Sequence, residues 1–305
     1  MIKARKLTKR FGEVEALVNL NCNIPQGCIY GLVGANGSGK STFLRLCNGI
    51  YKPDEGNVSI NGGEVFDNPS VKAHCVFVPD DLYFLPQSNL LRMSLLYESM
   101  YPRFSKERFH ELCGTFKLNA SRPLNTFSKG MRRQAATILA LAAMTDYVFF
   151  DETFDGLDPV MRNLVKGMLY DDVLERGCTA VVTSHSLREL EDTCDQLALL
   201  YQGGIVFESD VQNLKTTLFK VQVAFSQEYD RSLFEGLDLL AFTKQGSVAN
   251  LIIRGDSAAC KTAIMEKNPL IFEILPLTLE EVFLYEMEAL GYSFEEPAVK
   301  GGNRA

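Results

Sequence analysis

The sequence predicts an α/β protein with a mainly parallel sheet, an inserted helical subdomain and a small α+β domain toward its C-terminal end. Three observations carry that reading. Short apolar runs that read as buried strands alternate with longer helical stretches. A glycine-rich loop joins one such run directly to a helix. After the Gly203-Gly204 pair the texture changes to short alternating strands.

Taken in order, ARKLTKRFG and EALVNLNCNI read as strands, Pro25-Gln26-Gly27 as a turn, and Cys28 to Val33 as a buried strand. GANGSGKST follows at once and leads into the helical FLRLCNGI. Residues 57–66 suggest a hairpin about Asn61-Gly62-Gly63, since Asn and Gly tolerate the positive φ of a tight turn. HCVFVP at 74–79 is another buried strand. From about Leu90 to Leu118, Leu, Met, Tyr and Phe recur at helical spacing with no glycine before Gly114, which predicts a helical subdomain over about 82–145. YVFFDE at 147–152, a helix near 160–175, TAVVTSH at 179–185 and QLALLYQ at 196–202 resume the alternation of a parallel sheet. A boundary near 210 then divides residues 1–209 from an accessory α+β domain at 210–291. There KVQVAFS, LLAFTKQ, VANLIIRG and LIFEIL, with helices between them, give the order β, α, β, β, α, β of a ferredoxin-like sandwich. Residues 292–305 read as a flexible tail.

With 305 residues, 46% of them hydrophobic and 23% charged, the chain buries a substantial core, which excludes a disordered protein. A net charge of -7 and a pI of about 5.2 argue against a phosphodiester backbone as the main partner, so no nucleic acid is expected. The eight cysteines form no CxxC pair, and several, such as Cys28 in CIYGLVG, sit in apolar runs. They read as reduced core residues of a cytoplasmic chain. The basic N-terminus lacks the apolar segment of a secretory signal, and no apolar run approaches the ~20 residues of a bilayer span. Lys3, Arg5, Lys6, Lys9 and Arg10 read as a solvated edge strand.

Gly34, Gly39, Lys40 and Ser41 match G-x-x-x-x-G-K-[ST] between a buried strand and a helix, where mechanism requires the pattern. Glycines let backbone N–H groups wrap phosphates, and the helix dipole adds to their attraction. Gly34, Asn36, Gly37, Ser38, Gly39, Lys40, Ser41 and Thr42 are therefore the candidate nucleotide cradle. Lys40 would reach the β- and γ-phosphates of ATP, and the Ser41 hydroxyl would ligate Mg²⁺. A buried strand ending in Asp151 and Glu152 supplies a second carboxylate site. Asp151 suits the Mg²⁺ shell and Glu152 suits polarising the attacking water, although such a pair is also a common solvated strand end.

Over about residues 1–208 the chain resembles the nucleotide-binding subunit of ABC transporters, with GANGSGKST, FSKGM at 127–131, FFDETFDGLDP at 149–159 and TSH at 183–185 in that family's order. The resemblance implies that Ser128 and Gly130 open a helix facing the γ-phosphate held by an opposite subunit; a plain helix cap at Ser128 is the other reading. Phe127, Lys129 and Met131 depart from the family's signature, and Lys129 puts a cation where the family has glycine. By the same resemblance, His185 is the switch histidine that joins Lys40 and Glu152 in catalysis. Asp155 and Asp158, flanking Gly156 and Leu157, belong to the loop that crosses to the other subunit. Phe11 occupies the place of the adenine-stacking aromatic, with a core phenylalanine as the alternative. Asp80 stands where the family has a Mg²⁺-contacting glutamine, which makes it a third metal candidate after Ser41 and Asp151. Tyr83, Phe84, Leu85, Tyr97 and Tyr101 lie where the family meets a membrane subunit, or else they fill the helical subdomain.

The fold class expected is thus α/β, a P-loop ABC ATPase cassette with an inserted helical subdomain and a small C-terminal α+β domain. The resemblance implies a subunit that dimerises around two ATP/Mg²⁺, as a homodimer or with a related ATPase subunit. It would power transport, with export expected, through separate transmembrane permease subunits, and so lie peripherally on the inner face of the cell membrane. Two other readings stand beside it. A soluble ABC ATPase of ribosome or DNA usually carries paired cassettes or coiled-coil insertions, and neither is visible. A non-catalytic nucleotide-binding regulator would not need Lys40, Asp151, Glu152 and His185 together.

Overall fold

The computed structural model describes residues 1–211, 218–289 and 291, so the expected tail at 292–305 lies outside the described residues. The chain divides into two compact units, Met1–Ser209 and a second that begins at Asp210.

The first unit opens with β1 (Ile2–Phe11), β2 (Val14–Ile24), β3 (Ile29–Val33), α1 (Lys40–Cys47), β4 (Glu55–Ile60) and β5 (Gly63–Glu64). β1 and β2 form an antiparallel hairpin through Gly12 at φ 59°, and the sheet order is β2-β1-β4-β5. β1 therefore lies inside this sheet, which corrects the edge-strand reading. Two of its basic side chains are neutralised at the surface, Lys9 by Asp54 and Arg10 by Glu15 and Glu55. The hairpin at Asn61-Gly62 forms as expected, with Asn61 at φ 51° and Gly62 at φ 85°.

The short helix α2 (Pro69–Lys72) and β6 (Cys75–Val78) precede the helical insert. The insert consists of α3 (Leu90–Met100), α4 (Lys106–Thr115) and α5 (Lys129–Ala142). The helical stretch expected from Leu90 to Leu118 is split, because Pro102 holds Tyr101 extended at φ -113° and ψ 108°. Each helix starts at a residue whose side chain accepts a backbone N–H: Asn89 from Arg92 at 2.9 Å, Ser105 from Arg108 at 3.1 Å, Ser128 from Met131 at 3.3 Å. Then follow β7 (Tyr147–Asp151), α6 (Pro159–Arg176), β8 (Thr179–Ser184), α7 (Leu187–Glu191), β9 (Gln196–Tyr201) and β10 (Gly204–Asp210).

A second sheet of the first unit runs β10-β9-β3-β8-β7-β6, and the pairs β3–β8, β3–β9, β7–β8 and β6–β7 are parallel. β3, β7 and β8 are buried along their whole length, as strands covered on both faces must be. The mainly parallel sheet expected from the alternation is this second one, and the antiparallel β2-β1-β4-β5 sheet stands beside it. α1 packs between them, and its Phe43 and Leu44 share a core with Leu17 and Leu20 of one sheet and Phe149 and Val181 of the other.

The second unit contains β11 (Leu218–Ala224), β12 (Asp238–Gln245), β13 (Val248–Arg254), α8 (Ser257–Met265), β14 (Ile271–Leu275) and α9 (Leu279–Ala289). Its sheet is antiparallel in the order β12-β13-β11-β14, the strand order of a ferredoxin-like sandwich. The first expected helix is replaced by a single 3-10 turn at Arg231–Phe234. Asp230 caps that turn, Gly236 at φ 98° follows it, and Phe225, Tyr229 and Phe234 meet edge-on around it. α9 buries Leu279, Val282, Phe283 and Met287 on one face and starts from a reciprocal cap between Thr278 and Glu281.

Candidate functional site

Parallel pairing places the C-terminal ends of neighbouring strands on one edge of a sheet, and in open α/β folds ligands bind beyond that edge. Here Val33 pairs with Ser184 and Asp151 with Thr183. The loops leaving β3, β7 and β8 therefore emerge together.

The loop from Gly34 to Gly39 wraps the start of α1 through Gly37 at φ 81° and Gly39 at φ 111°. Side chains are excluded there on contact grounds too. A Cβ at Gly39 would stand 2.5 Å from the Ala16 carbonyl oxygen, and one at Gly34 2.5 Å from that of Leu200. Ala35, Asn36 and Gly37 are exposed at the tip, whereas Ser38 is buried with a hydroxyl that has no partner among the described residues. Ser41 and Thr42 lie half-buried in the first turn of α1, which has no acidic residue and no capping side chain, so its N–H groups and positive dipole end favour an anion. The side chain of Lys40 is 4% exposed, and its Nζ donates to the carbonyls of Gly34 at 2.7 Å and Ala35 at 3.2 Å.

Asp151 is fully buried. Its Oδ1 accepts from Ser41 Oγ at 3.0 Å and Thr183 Oγ1 at 2.9 Å, while its Oδ2 has no partner. Burial pushes its carboxyl above the ordinary value, and the two hydroxyl donors act against that push. A buried carboxylate with an unused oxygen beside a serine hydroxyl suits a small hard cation. Among the described residues no group of three or more His, Cys, Asp or Glu is placed to hold a metal. A protein contribution of one carboxylate and one hydroxyl matches Mg²⁺, which takes its remaining oxygens from phosphate and water.

Glu152 stands at φ 47° and ψ 30°, left-handed for a residue with a side chain, at a cost of roughly 1–3 kcal/mol. Two hydrogen bonds hold it there: its N–H donates to Thr183 Oγ1 at 3.0 Å, and its carbonyl accepts from Arg133 Nη1. The turn directs its carboxylate to Lys40, with Oε1 3.3 Å from Nζ. His185 directly follows β8 and is exposed.

Phe11 is 44% exposed at the end of β1, which removes the core reading; its ring meets Tyr51 edge-on at 5.3 Å with Lys9 over it at 5.4 Å. Ser128 caps α5, and Gly130 lies against the Gly156 carbonyl, where an added Cβ would come to 3.3 Å. Asp158 is engaged in capping α6, accepting from Val160 and Met161 N–H groups at 3.0 Å each. The Asp155 side chain lies outside the described residues.

Asp80 is corrected. Its carboxylate is not joined to Ser41 or Asp151 but forms an ion pair with Arg133 Nη2 at 2.5 Å. Sequence reasoning missed both Arg133 and Thr183. Thr183 had a signal, since two apolar strands ending in polar residues at equal depth pair there. Arg133 had none, because its partners are distant in sequence.

Fold and site together define a P-loop nucleotide-binding ATPase. The model of the family described as ABC transporter matches residues 17–155. The chain is 28% identical over 284 residues to the ABC transporter ATP-binding protein YtrB of Bacillus subtilis (strain 168), covering 93% of this chain and 97% of that protein. That match is longer than the first unit, so it runs into the second. It is also 30% identical over 224 residues to the daunorubicin/doxorubicin resistance ATP-binding protein DrrA of Streptomyces peucetius, covering 71% and 67%. Among solved structures, the dimeric post-hydrolysis state of the ATP-binding cassette MJ0796 bound to ADP and Pi is similar at TM-score 0.63 and 26% identity, covering 69% of this chain and 99% of that one. The chain belongs to the family of ABC transporter ATP-binding proteins and is an ATPase cassette.

Proposed function

We propose that the chain hydrolyses ATP as one half of a cassette dimer and drives export through separate membrane subunits. The observation that carries the reading is the convergence of Lys40, Ser41, Asp151 and Glu152, from two strand ends, within hydrogen-bond or ion-pair distance of one another. Lys40 and the N–H groups of the loop hold the β- and γ-phosphates. Ser41 and Asp151 would hold Mg²⁺, which when bound neutralises charge on phosphate oxygens. Glu152 orients and polarises the attacking water, with His185 beside the γ-phosphate and Phe11 against adenine. Ser128 and Gly130 meet the nucleotide of the opposite copy, so each site is completed across the dimer.

A groove of about 790 Å³ in the first unit supports the membrane partner. Ile50, Phe77, Tyr83, Tyr97, Met100 and Tyr101 line it, and Tyr83 is 75% exposed. A short amphipathic helix of a permease fits such a surface. Phe84 is not part of it and lies under Arg132 at 5.6 Å. No described helix is long and apolar enough to cross a membrane, so the pathway belongs to other chains under this reading. The name of DrrA, a resistance protein, supports export.

The test is sizing of the Glu152→Gln variant with and without ATP/Mg²⁺, followed by capture of that variant from detergent-solubilised membranes. An ATP-dependent dimer that brings down a polytopic membrane protein is expected. A monomer at saturating ATP would overturn the dimer, and ribosomal proteins without a membrane protein would overturn the transporter.

A further inference from the structure

Arg133 is only 3% exposed, although it sits on a helix that begins at the surface. A buried guanidinium is costly unless its rigid fork of donors is matched, so its partners show what the burial achieves. Nη1 donates to the Glu152 carbonyl and Nη2 to Asp80 Oδ1. Nε has no hydrogen-bond partner among the described residues and faces Gly156, where an added Cβ would lie 2.7 Å away, so the loop after Glu152 closes over the side chain. One residue of α5 thus touches the segment after β6 and both ends of the turn that carries Glu152.

The Glu152 peptide is pinned from two sides. Thr183 on β8 takes its N–H, and Arg133 on α5 takes its carbonyl. The first anchor belongs to the sheet, the second to the helical insert. Asp80 holds the far end of that second anchor, and its neighbour Asp81 lines both the 790 Å³ groove and a 340 Å³ cavity shared with Lys129 and Arg132.

We infer that Arg133 is a positioning residue for Glu152, held in place by Asp80, whose role is counter-charge rather than metal ligand. This rests on the proposed role of Glu152 in hydrolysis. Arg133 touches no reacting atom; it fixes the backbone that aims the carboxylate.

The test is steady-state ATPase kinetics of the full chain, with the thermal midpoint measured for every variant. Arg133→Lys keeps the charge but cannot bridge both acceptors. Its kcat is expected to fall about tenfold with the KM for ATP within about twofold, the signature of a misaimed group in a formed site. Asp80→Asn is the second variant, conservative and half-exposed, so it reads the same link if Arg133→Lys fails to fold. It should lower kcat in the same way, and the double variant should be no slower than Arg133→Lys alone. A normal kcat in a folded single variant, fully additive losses, or an Asp80→Asn defect that excess Mg²⁺ repairs would each overturn the assignment. Glu152→Gln run in parallel separates the two claims. An active Glu152→Gln chain removes the Glu152 reading itself, while an inactive one beside a normal Arg133→Lys removes only the positioning role.

Discussion

The two units are built from similar elements, yet among the described residues only the first gathers polar side chains from several strand ends. In the parallel sheet of the first unit, β3, β7 and β8 end on the same edge, so Lys40, Asp151, Glu152 and Thr183 meet although they come from distant parts of the chain. In the antiparallel sheet of the second unit, strands that are neighbours in the sheet end on opposite edges, and its polar pairs, Gln222 with Asn250 and Arg254 with Glu286, tie neighbouring elements together. Strand direction thus decides whether loop residues converge on one ligand or stabilise their own neighbours.

The largest effect is expected at Glu152. Glutamine there should lower the hydrolysis rate about 10²- to 10⁴-fold while ATP still binds, read by phosphate release against nucleotide titration. Near-normal turnover would show that the convergence of the first unit is not catalytic. In the second unit, Leu251→Ala removes a fully buried side chain from a core of its own. A loss of about 2–5 kcal/mol in urea unfolding is expected, with turnover of the folded chain within about twofold. A matching loss of turnover would make the second unit part of the catalytic machinery.

A smaller effect sharpens the picture inside the first unit. Burial works against the charge of Asp146, but Arg103 and His74 overcome it and hold its carboxyl below the ordinary value. The unfolded chain then binds the proton more readily. The resulting stability is complete above the ordinary carboxylate value and is lost as pH falls through the lowered one. Asp146→Asn should cost about 1 kcal/mol or less at neutral pH, and its melting curve should merge with that of the native chain in acid. The smallest effect is a null one. All eight cysteines are buried and unbridged, and burial pushes Cys28, Cys113 and Cys260 up to about 11. A thiol reagent at neutral pH should label none in the folded chain and all eight in denaturant, and rapid labelling of Cys260 would report an open second unit.

Much of the nucleotide cradle was legible because it is local. The spacing from Gly34 to Ser41 is set by covalent geometry, and the apolar runs around it announce a strand and a helix. The two-sheet arrangement was not legible, since nothing in β1 or β2 says which strand will pair beside them. Asp80 shows the limit most clearly. Its position suggested a metal ligand, yet the charge that claims it is Arg133, distant in sequence and delivered by α5. The helix expected between β11 and β12 is a 3-10 turn at Arg231–Phe234, with Phe225, Tyr229 and Phe234 in edge-on contact around it.

The phosphate loop, the buried strands and the family were legible along the chain, because these depend on neighbours within a few residues or on order in the sequence. Only the tertiary structure decided which groups share a proton, a charge or a peptide. It joined Ser41 and Thr183 to Asp151, turned Glu152 toward Lys40 and gave Asp80 to Arg133. Hydrogen bonds and ion pairs act over about 3 Å, and only folding brings distant residues that close.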